Sequence, residues 1–191
     1  MDGIDILIEQ LRTSKIVDKG DYRYIINSIG EQDPPLDPKI LNDCAEKLIE
    51  LINLNGVNKI LTAETMGVPI ATAISMKTGI PLIIATKREK RTPTDVKINY
   101  VCGYEKGVLH FNSIHPGDKI LMVDDLISTG GTIICMADAI KNLGATISDI
   151  CVIFDKKTYG GSKRLKELGY DPKSLMDVDI NKDNCIVERT V

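Results

Sequence analysis

Ile4, Leu7, Ile8 and Leu11 recur at three- and four-residue intervals, so the chain is expected to open with a short amphipathic helix. Asp18-Lys19-Gly20 reads as a turn leading to a strand over 22–27. Asp33-Pro34-Pro35-Leu36-Asp37-Pro38 is a rigid loop that prepares a second helix, with Asp37 as N-cap and Pro38, whose fixed φ suits the first turn, directly after it. Ile40, Leu41, Cys44, Leu48, Ile49 and Ile52 supply that helix's buried stripe, and Asn55-Gly56 is its expected stop.

From there apolar runs and helical periods alternate: a strand over 59–63, a helix over 68–78 closed by Gly79, and a strand over 81–85. Such a β-α-β unit builds a parallel sheet with a right-handed crossover. The polar, basic stretch 86–106 interrupts the pattern and leads to the apolar run 108–111, which predicts a mobile excursion built as a two-stranded flap. Alternation resumes with a strand over 119–123, a helix over 131–143 ended by Gly144, a strand over 150–154 and a helix over 162–168. Two last strands are expected over 175–180 and 185–187. The fold class is therefore α/β, an open, mainly parallel twisted sheet flanked by helices.

Composition narrows the classes of function. A chain of 191 residues fits one α/β domain that buries roughly 70 % of the surface its unfolded form exposes. The five cysteines are scattered, with no CxxC, and the two histidines are not spaced as zinc ligands, so reduced thiols and a cytoplasmic location are expected. Neither a leader pattern nor an apolar run long enough to span a bilayer occurs. The net charge of −3 argues against a general nucleic-acid binder, although Lys87, Arg88, Lys90, Arg91 and Lys97 gather into a local anion-binding candidate.

The chemistry concentrates in Lys119-Ile-Leu-Met-Val-Asp124-Asp125-Leu126-Ile-Ser128-Thr129-Gly130-Gly131-Thr132. Ligands of parallel α/β sheets sit at the carboxyl ends of the strands. Two glycines there let backbone N–H groups turn inward, the hydroxyls of Ser128, Thr129 and Thr132 add donors, and the next helix presents its positive end. Asp124 and Asp125 would repel a bare phosphate but accept hydrogen bonds from vicinal hydroxyls. A phosphate cup beside paired acids therefore points to a sugar phosphate, the bland alternative being a strand-turn-helix with acidic capping. A Walker loop and a dinucleotide fingerprint are both absent.

This run closely resembles the phosphoribosyl-diphosphate motif of type I phosphoribosyltransferases. The resemblance implies a hooded version of the fold: one domain over 1–191, with a core of about 38–155, a hood from about 1–37 and 156–191, and a flexible loop over about 87–106. It implies that Asp124 and Asp125 are the catalytic pair that holds the ribose hydroxyls, and that Ser128, Thr129, Gly130, Gly131 and Thr132 hold the 5′-phosphate. Glu64-Thr65-Met66-Gly67 resembles the diphosphate loop of adenine and xanthine members, and Lys87-Arg88 stands where the family places a basic pair. By position, Tyr104 and Glu105 fall in the loop that closes over the site.

Asp155-Lys156-Lys157 and the later Leu168-Gly169-Tyr170 resemble elements of bacterial xanthine phosphoribosyltransferases, where the matching lysine donates to the base O6. An ammonium offers only donors and so suits a carbonyl. Leu126 is expected to cover one face of the purine, with a core leucine as the rival reading. Hypoxanthine-guanine enzymes of the human kind carry an aspartate where this chain has Ser128, which leaves the handling of the N7 proton open. The implied substrates are 5-phosphoribosyl-1-diphosphate and a purine, with Mg²⁺ as cofactor, no dedicated protein metal site, no membrane or nucleic-acid partner, and a homodimer as the expected assembly. Hypoxanthine and guanine are favoured as bases, with adenine second and xanthine third. The other class carried is a purine-responsive regulator of the same fold, which would need a DNA-binding element.

Overall fold

The computed structural model describes residues 1–20, 22–101, 106–182 and 184–191. Helix α1 (Gly3–Arg12) is closed at its start by reciprocal hydrogen bonds between Asp2 and Asp5, and it buries Ile4, Leu7, Ile8 and Leu11 as their spacing predicts. The next segment is a hairpin rather than a lone strand: β1 (Ile16–Lys19) pairs antiparallel with β2 (Tyr22–Ile25). β1 holds only two apolar residues and ends inside the predicted turn, so its pattern is too short to read.

Asp37 caps helix α2 (Pro38–Leu51), accepting from the Lys39 N–H at 2.8 Å. The helix stops at Leu51, short of Asn55-Gly56, because Ile52 is extended and Asn53 is held by Ser148 and Asp149. There follow β3 (Lys59–Ala63), α3 (Gly67–Thr78), β4 (Leu82–Ala85), the antiparallel hairpin β5 (Val96–Val101) with β6 (Lys106–Phe111), then β7 (Lys119–Ile127), α4 (Gly131–Asn142) and β8 (Thr146–Asp155). One turn of 3₁₀ helix (Lys157–Tyr159), α5 (Gly161–Glu167), β9 (Lys173–Asn181) and β10 (Asn184–Arg189) complete the described chain.

Six strands form one sheet in the order β10-β9-β8-β7-β3-β4, all parallel except β10, which turns back on β9. On one face α1, α2 and α3 pack Leu7, Leu48 and Ile74 toward Val123 and Ile153. On the other, α4 and the β5–β6 hairpin bring Met136, Ile140, Leu109 and Phe111 onto Met122 and Val152. Burial on both faces explains why the central strands read as continuous apolar runs. Cys44, Cys135, Cys151 and Cys185 are free thiols. Among the described residues no helix is long and apolar enough to cross a membrane.

Candidate functional site

The site arises where β7 outruns its neighbour. β3 pairs with β7 only as far as Leu61 with Met122, whereas β8 follows it to Asp155 with Ile127. The strand therefore continues four residues beyond the expected 123, and Asp124 and Asp125 lie inside it, facing a notch left by β3. Gly67 opens α3 in that notch. A Cβ there would lie 2.5 Å from Asp124 Oδ1 and 2.5 Å from Thr62 Oγ1, so only glycine lets the helix start against the acid.

After Ile127 the chain turns through Ser128 and Thr129 to Gly130, whose φ of 75° starts α4. No side chain caps this helix, so the amide end of α4 faces the cavity. Thr129 Oγ1 is buried without a hydrogen-bond partner, as a donor awaiting an oxygen would be. Behind the turn, the Gly161 N–H donates to Ser128 O at 2.8 Å and Arg164 Nη1 to Thr129 O at 2.9 Å. These bonds occupy the carbonyl side of the turn and leave its N–H and hydroxyl side to the cavity.

A cavity of about 270 Å³ collects most of the residues singled out by sequence: Glu64, Thr65, Met66, Lys87, Asp124, Asp125, Leu126, Ser128, Thr129, Gly130, Gly131 and Thr132 all line it. Glu64 Oε1 accepts from the Lys87 N–H at 2.6 Å, so the acid of one loop shapes the basic loop beside it. Arg88 is exposed one residue further on, its carbonyl accepting from Thr86 Oγ1 at 2.9 Å. Tyr104 and Glu105 lie outside the described residues. Sequence reasoning missed Tyr22, Tyr100 and Leu109, which also line the cavity. Tyr100 faces Gly107 across the β5–β6 hairpin, where a Cβ would stand 2.8 Å from its ring. An aromatic set opposite a glycine was the available signal.

A second cavity of about 100 Å³ shares Tyr22, Met66, Asp125 and Leu126 with the first, and it adds Phe154, Glu31 and Lys156 among others. Leu126 packs on the core and also forms a wall of each cavity. Lys156 is only 3 % exposed. Its Nζ donates to the Arg23 carbonyl and sits 4.4 Å from the Tyr22 ring centroid and 4.9 Å from that of Tyr159.

The electrostatics follow from this packing. Burial, reinforced by the neighbouring charge of Asp125, raises the Asp124 carboxyl well above the ordinary range, and burial raises Asp125 too. The Asp125 N–H donates to Asp124 Oδ1 at 3.0 Å. Two such carboxylates gain from hydroxyl donors or a nearby cation. Burial lowers the Lys156 ammonium to about 8, opposed by Asp179 and Cys185 and assisted by Arg23. Burial likewise raises Glu31.

Comparison with known proteins gives concordant results. The family model described as the phosphoribosyl transferase domain matches residues 35–181. A hypoxanthine/guanine phosphoribosyltransferase of Methanohalophilus mahii is 42 % identical over 180 residues, covering 94 % of this chain and 93 % of that protein. One from Methanocaldococcus vulcanius is 41 % identical over 177 residues, covering 92 % and 95 %. Among solved structures, an adenine phosphoribosyltransferase of Giardia lamblia complexed with 9-deazaadenine superposes with a TM-score of 0.76 at 16 % identity, covering 93 % of this chain and 98 % of that one. The enzyme of the same name from Rhodothermus marinus gives 0.75 at 18 %, covering 92 % and 98 %. At these identities the structures speak for the fold alone.

Proposed function

The chain belongs to the phosphoribosyl transferase domain family, and from that premise we propose that it transfers the 5-phosphoribosyl group of 5-phosphoribosyl-1-diphosphate to N9 of hypoxanthine or guanine. IMP or GMP and diphosphate are the products. One observation carries this reading: a phosphate-type cup and an acid pair share a wall with a smaller cavity that ends on a buried lysine.

In this reading the 5′-phosphate lies in the turn of Ser128, Thr129, Gly130, Gly131 and Thr132, with the ribose hydroxyls on Asp124 and Asp125. The diphosphate lies between 64–67 and the Lys87-Arg88 pair. The C1′–O bond breaks early, C1′ gains oxocarbenium character, and N9 attacks from the opposite face. Lys87 and Arg88 stabilise the charge on the departing diphosphate, and the protein otherwise works by positioning. The β5–β6 hairpin carries Tyr100 and Leu109 against the cavity, where closure keeps water from the ribosyl centre.

The donor set also suits Mg²⁺. Among the described residues no cluster of three ligating side chains exists, while the Asp124–Asp125 pair, whose ionisation burial opposes, would be favoured in its charged form by a cation beside it. The ion would be held mainly by diphosphate and ribose oxygens with the pair nearby, and it would neutralise charge on the leaving group. A cytoplasmic homodimer completes the proposal.

Diphosphate release, measured with Mg²⁺, phosphoribosyl diphosphate and each of hypoxanthine, guanine, xanthine and adenine, tests it directly. Turnover is expected with the first two and is expected to stop on chelation. Turnover confined to adenine would move the assignment to the second reading, and none with any base would remove it.

Lys156 is the proposed reader of the 6-position. A buried hydrogen bond from a charged donor contributes about 1.5–3 kcal/mol, so Lys156→Ala should lower kcat/KM for hypoxanthine and guanine by about 10- to 100-fold. Residual adenine turnover should hold or improve. Because the ammonium loses its proton near pH 8, kcat/KM for 6-oxo purines should fall above that pH in the wild type. Equal losses for 6-oxo and 6-amino purines would remove this role.

A further inference from the structure

Lys156 is held from three sides. Its stem leaves the end of β8, and its backbone N–H donates to Ile127 O at 2.8 Å, tying it to the strand that carries the acids. Its ammonium meets the faces of two tyrosines that stack on each other at 4.8 Å and 29°. Tyr22 comes from β2 and Tyr159 from the 3₁₀ turn. Arg23 joins them, its N–H donating to Tyr159 Oη at 3.4 Å and its carbonyl accepting from Lys156 Nζ. The N-terminal hairpin and the turn after β8 are thus clamped around one cation.

We propose that Tyr22 and Tyr159 are positioning residues for purine selection, forming with the Arg23 carbonyl a cage that keeps the Lys156 ammonium charged and aimed into the smaller cavity. The proposal rests on the hypoxanthine/guanine reading of the site. An ammonium taken out of water loses hydration, and two ring faces together with one carbonyl replace part of it. One of the three N–H bonds is spent on Arg23, which fixes the direction of the other two. Asp179, Cys185 and the Arg23 guanidinium also act on this charge, and Asp125 and Glu31 line the same cavity. Asp179 accepts from Thr158 and Asp18 pairs with Arg23 at 2.7 Å, so both neighbouring acids have partners of their own.

Tyr159 lines neither cavity, so it can be changed without touching the sugar-phosphate side. In protein carrying isotope-labelled lysine, the Lys156 side-chain resonance, assigned by its loss in Lys156→Ala, should titrate near pH 8 in the wild type. In Tyr159→Leu it should titrate about one unit lower, since an exposed-to-desolvated cation–ring contact corresponds to about that shift. The same variant should lose about 2-fold in kcat/KM for hypoxanthine at about pH 7 and close to 10-fold above about pH 9, with an unchanged KM for phosphoribosyl diphosphate, because a one-unit drop from about 8 roughly halves the charged fraction at neutral pH and cuts it about tenfold only where both proteins are mostly deprotonated. Its alkaline limb should move down in pH, while Tyr159→Phe, which keeps the ring and gives up only the 3.4 Å bond from the Arg23 N–H, should keep the wild-type Lys156 titration. Should Tyr159→Leu not fold, Tyr22→Leu against Tyr22→Phe reads the same titration. A wild-type protein that turns over hypoxanthine, combined with an unmoved Lys156 titration and unmoved purine preference in the Leu variants, overturns the cage alone. A wild-type protein inert toward every 6-oxo purine overturns the reading of the site and the use of the cage with it.

Discussion

Replacing both acids of β7, Asp124→Asn with Asp125→Asn, is expected to lower kcat/KM at subsaturating phosphoribosyl diphosphate by roughly 100-fold, while the thermal midpoint holds or rises. The activity loss follows from the proposed hydrogen bonds. Each charged acceptor reduced to a neutral one forfeits about 1.5 kcal/mol, and about 3 kcal/mol in the transition state is roughly two powers of ten. The stability change has the opposite sign for a reason visible in the packing. An unfolded aspartate titrates at about 4, whereas burial raises both groups in the fold and the charge of Asp125 raises Asp124 further. The native state therefore binds protons more tightly, and the stability these groups contribute is present at low pH and lost as pH rises toward their folded values. At neutral pH the pair costs stability, and asparagines remove that cost. Near wild-type turnover in the double variant, measured by initial rates beside a thermal melt, would end the assignment of these acids to the ribose.

The parts of the site that were legible in the sequence are contiguous runs. The 119–132 segment combines an apolar strand, two acids and a hydroxyl- and glycine-rich turn without interruption, and Glu64-Thr65-Met66-Gly67 follows its strand directly. Local chemistry of that kind survives reading one residue at a time. What stayed hidden depends on distant segments meeting. Lys156 and Arg23 are 133 positions apart, and Arg164 and Thr129 are 35 apart. Tyr22 reads as an ordinary aromatic of a short strand until the fold sets it between the two cavities. The helix boundaries failed for the same cause, α2 stopping at Leu51 because Ser148 and Asp149 hold Asn53, and not because of a local breaker. The strand β7 outran its predicted end because β8 continues beside it, and that extra length is what creates the notch.

Gly161→Ala should be the second most damaging of the changes considered, although no motif assigns the residue a ligand contact. Gly161 begins α5 directly behind the turn from Ser128 to Gly130, and a Cβ there would lie 2.2 Å from Ser128 O, 2.7 Å from Gly130 N and 2.8 Å from Ile127 Cγ2. Two of those atoms are backbone and cannot rotate away, so α5 or the turn must move. Moving the turn breaks the 2.8 Å bond from the Gly161 N–H to Ser128 O and tilts the donors that face the cavity. A displacement of about 1 Å in a positioning element costs on the order of 100-fold in rate. The loss should fall on phosphoribosyl diphosphate, as a raised KM and a lowered kcat/KM for that substrate, with the ratio of hypoxanthine to adenine turnover unchanged, because the smaller cavity is lined by other residues. Arg164→Ala offers a graded comparison. It removes only the 2.9 Å bond to Thr129 O, leaves space rather than taking it, and should raise the same KM by about 5- to 10-fold, the worth of one hydrogen bond from a charged donor that is partly open to water. Initial-rate kinetics varied in each substrate separately would decide the matter: a Gly161→Ala enzyme with wild-type KM for phosphoribosyl diphosphate, or one whose purine preference shifts instead, would show that α5 does not set the geometry of the turn.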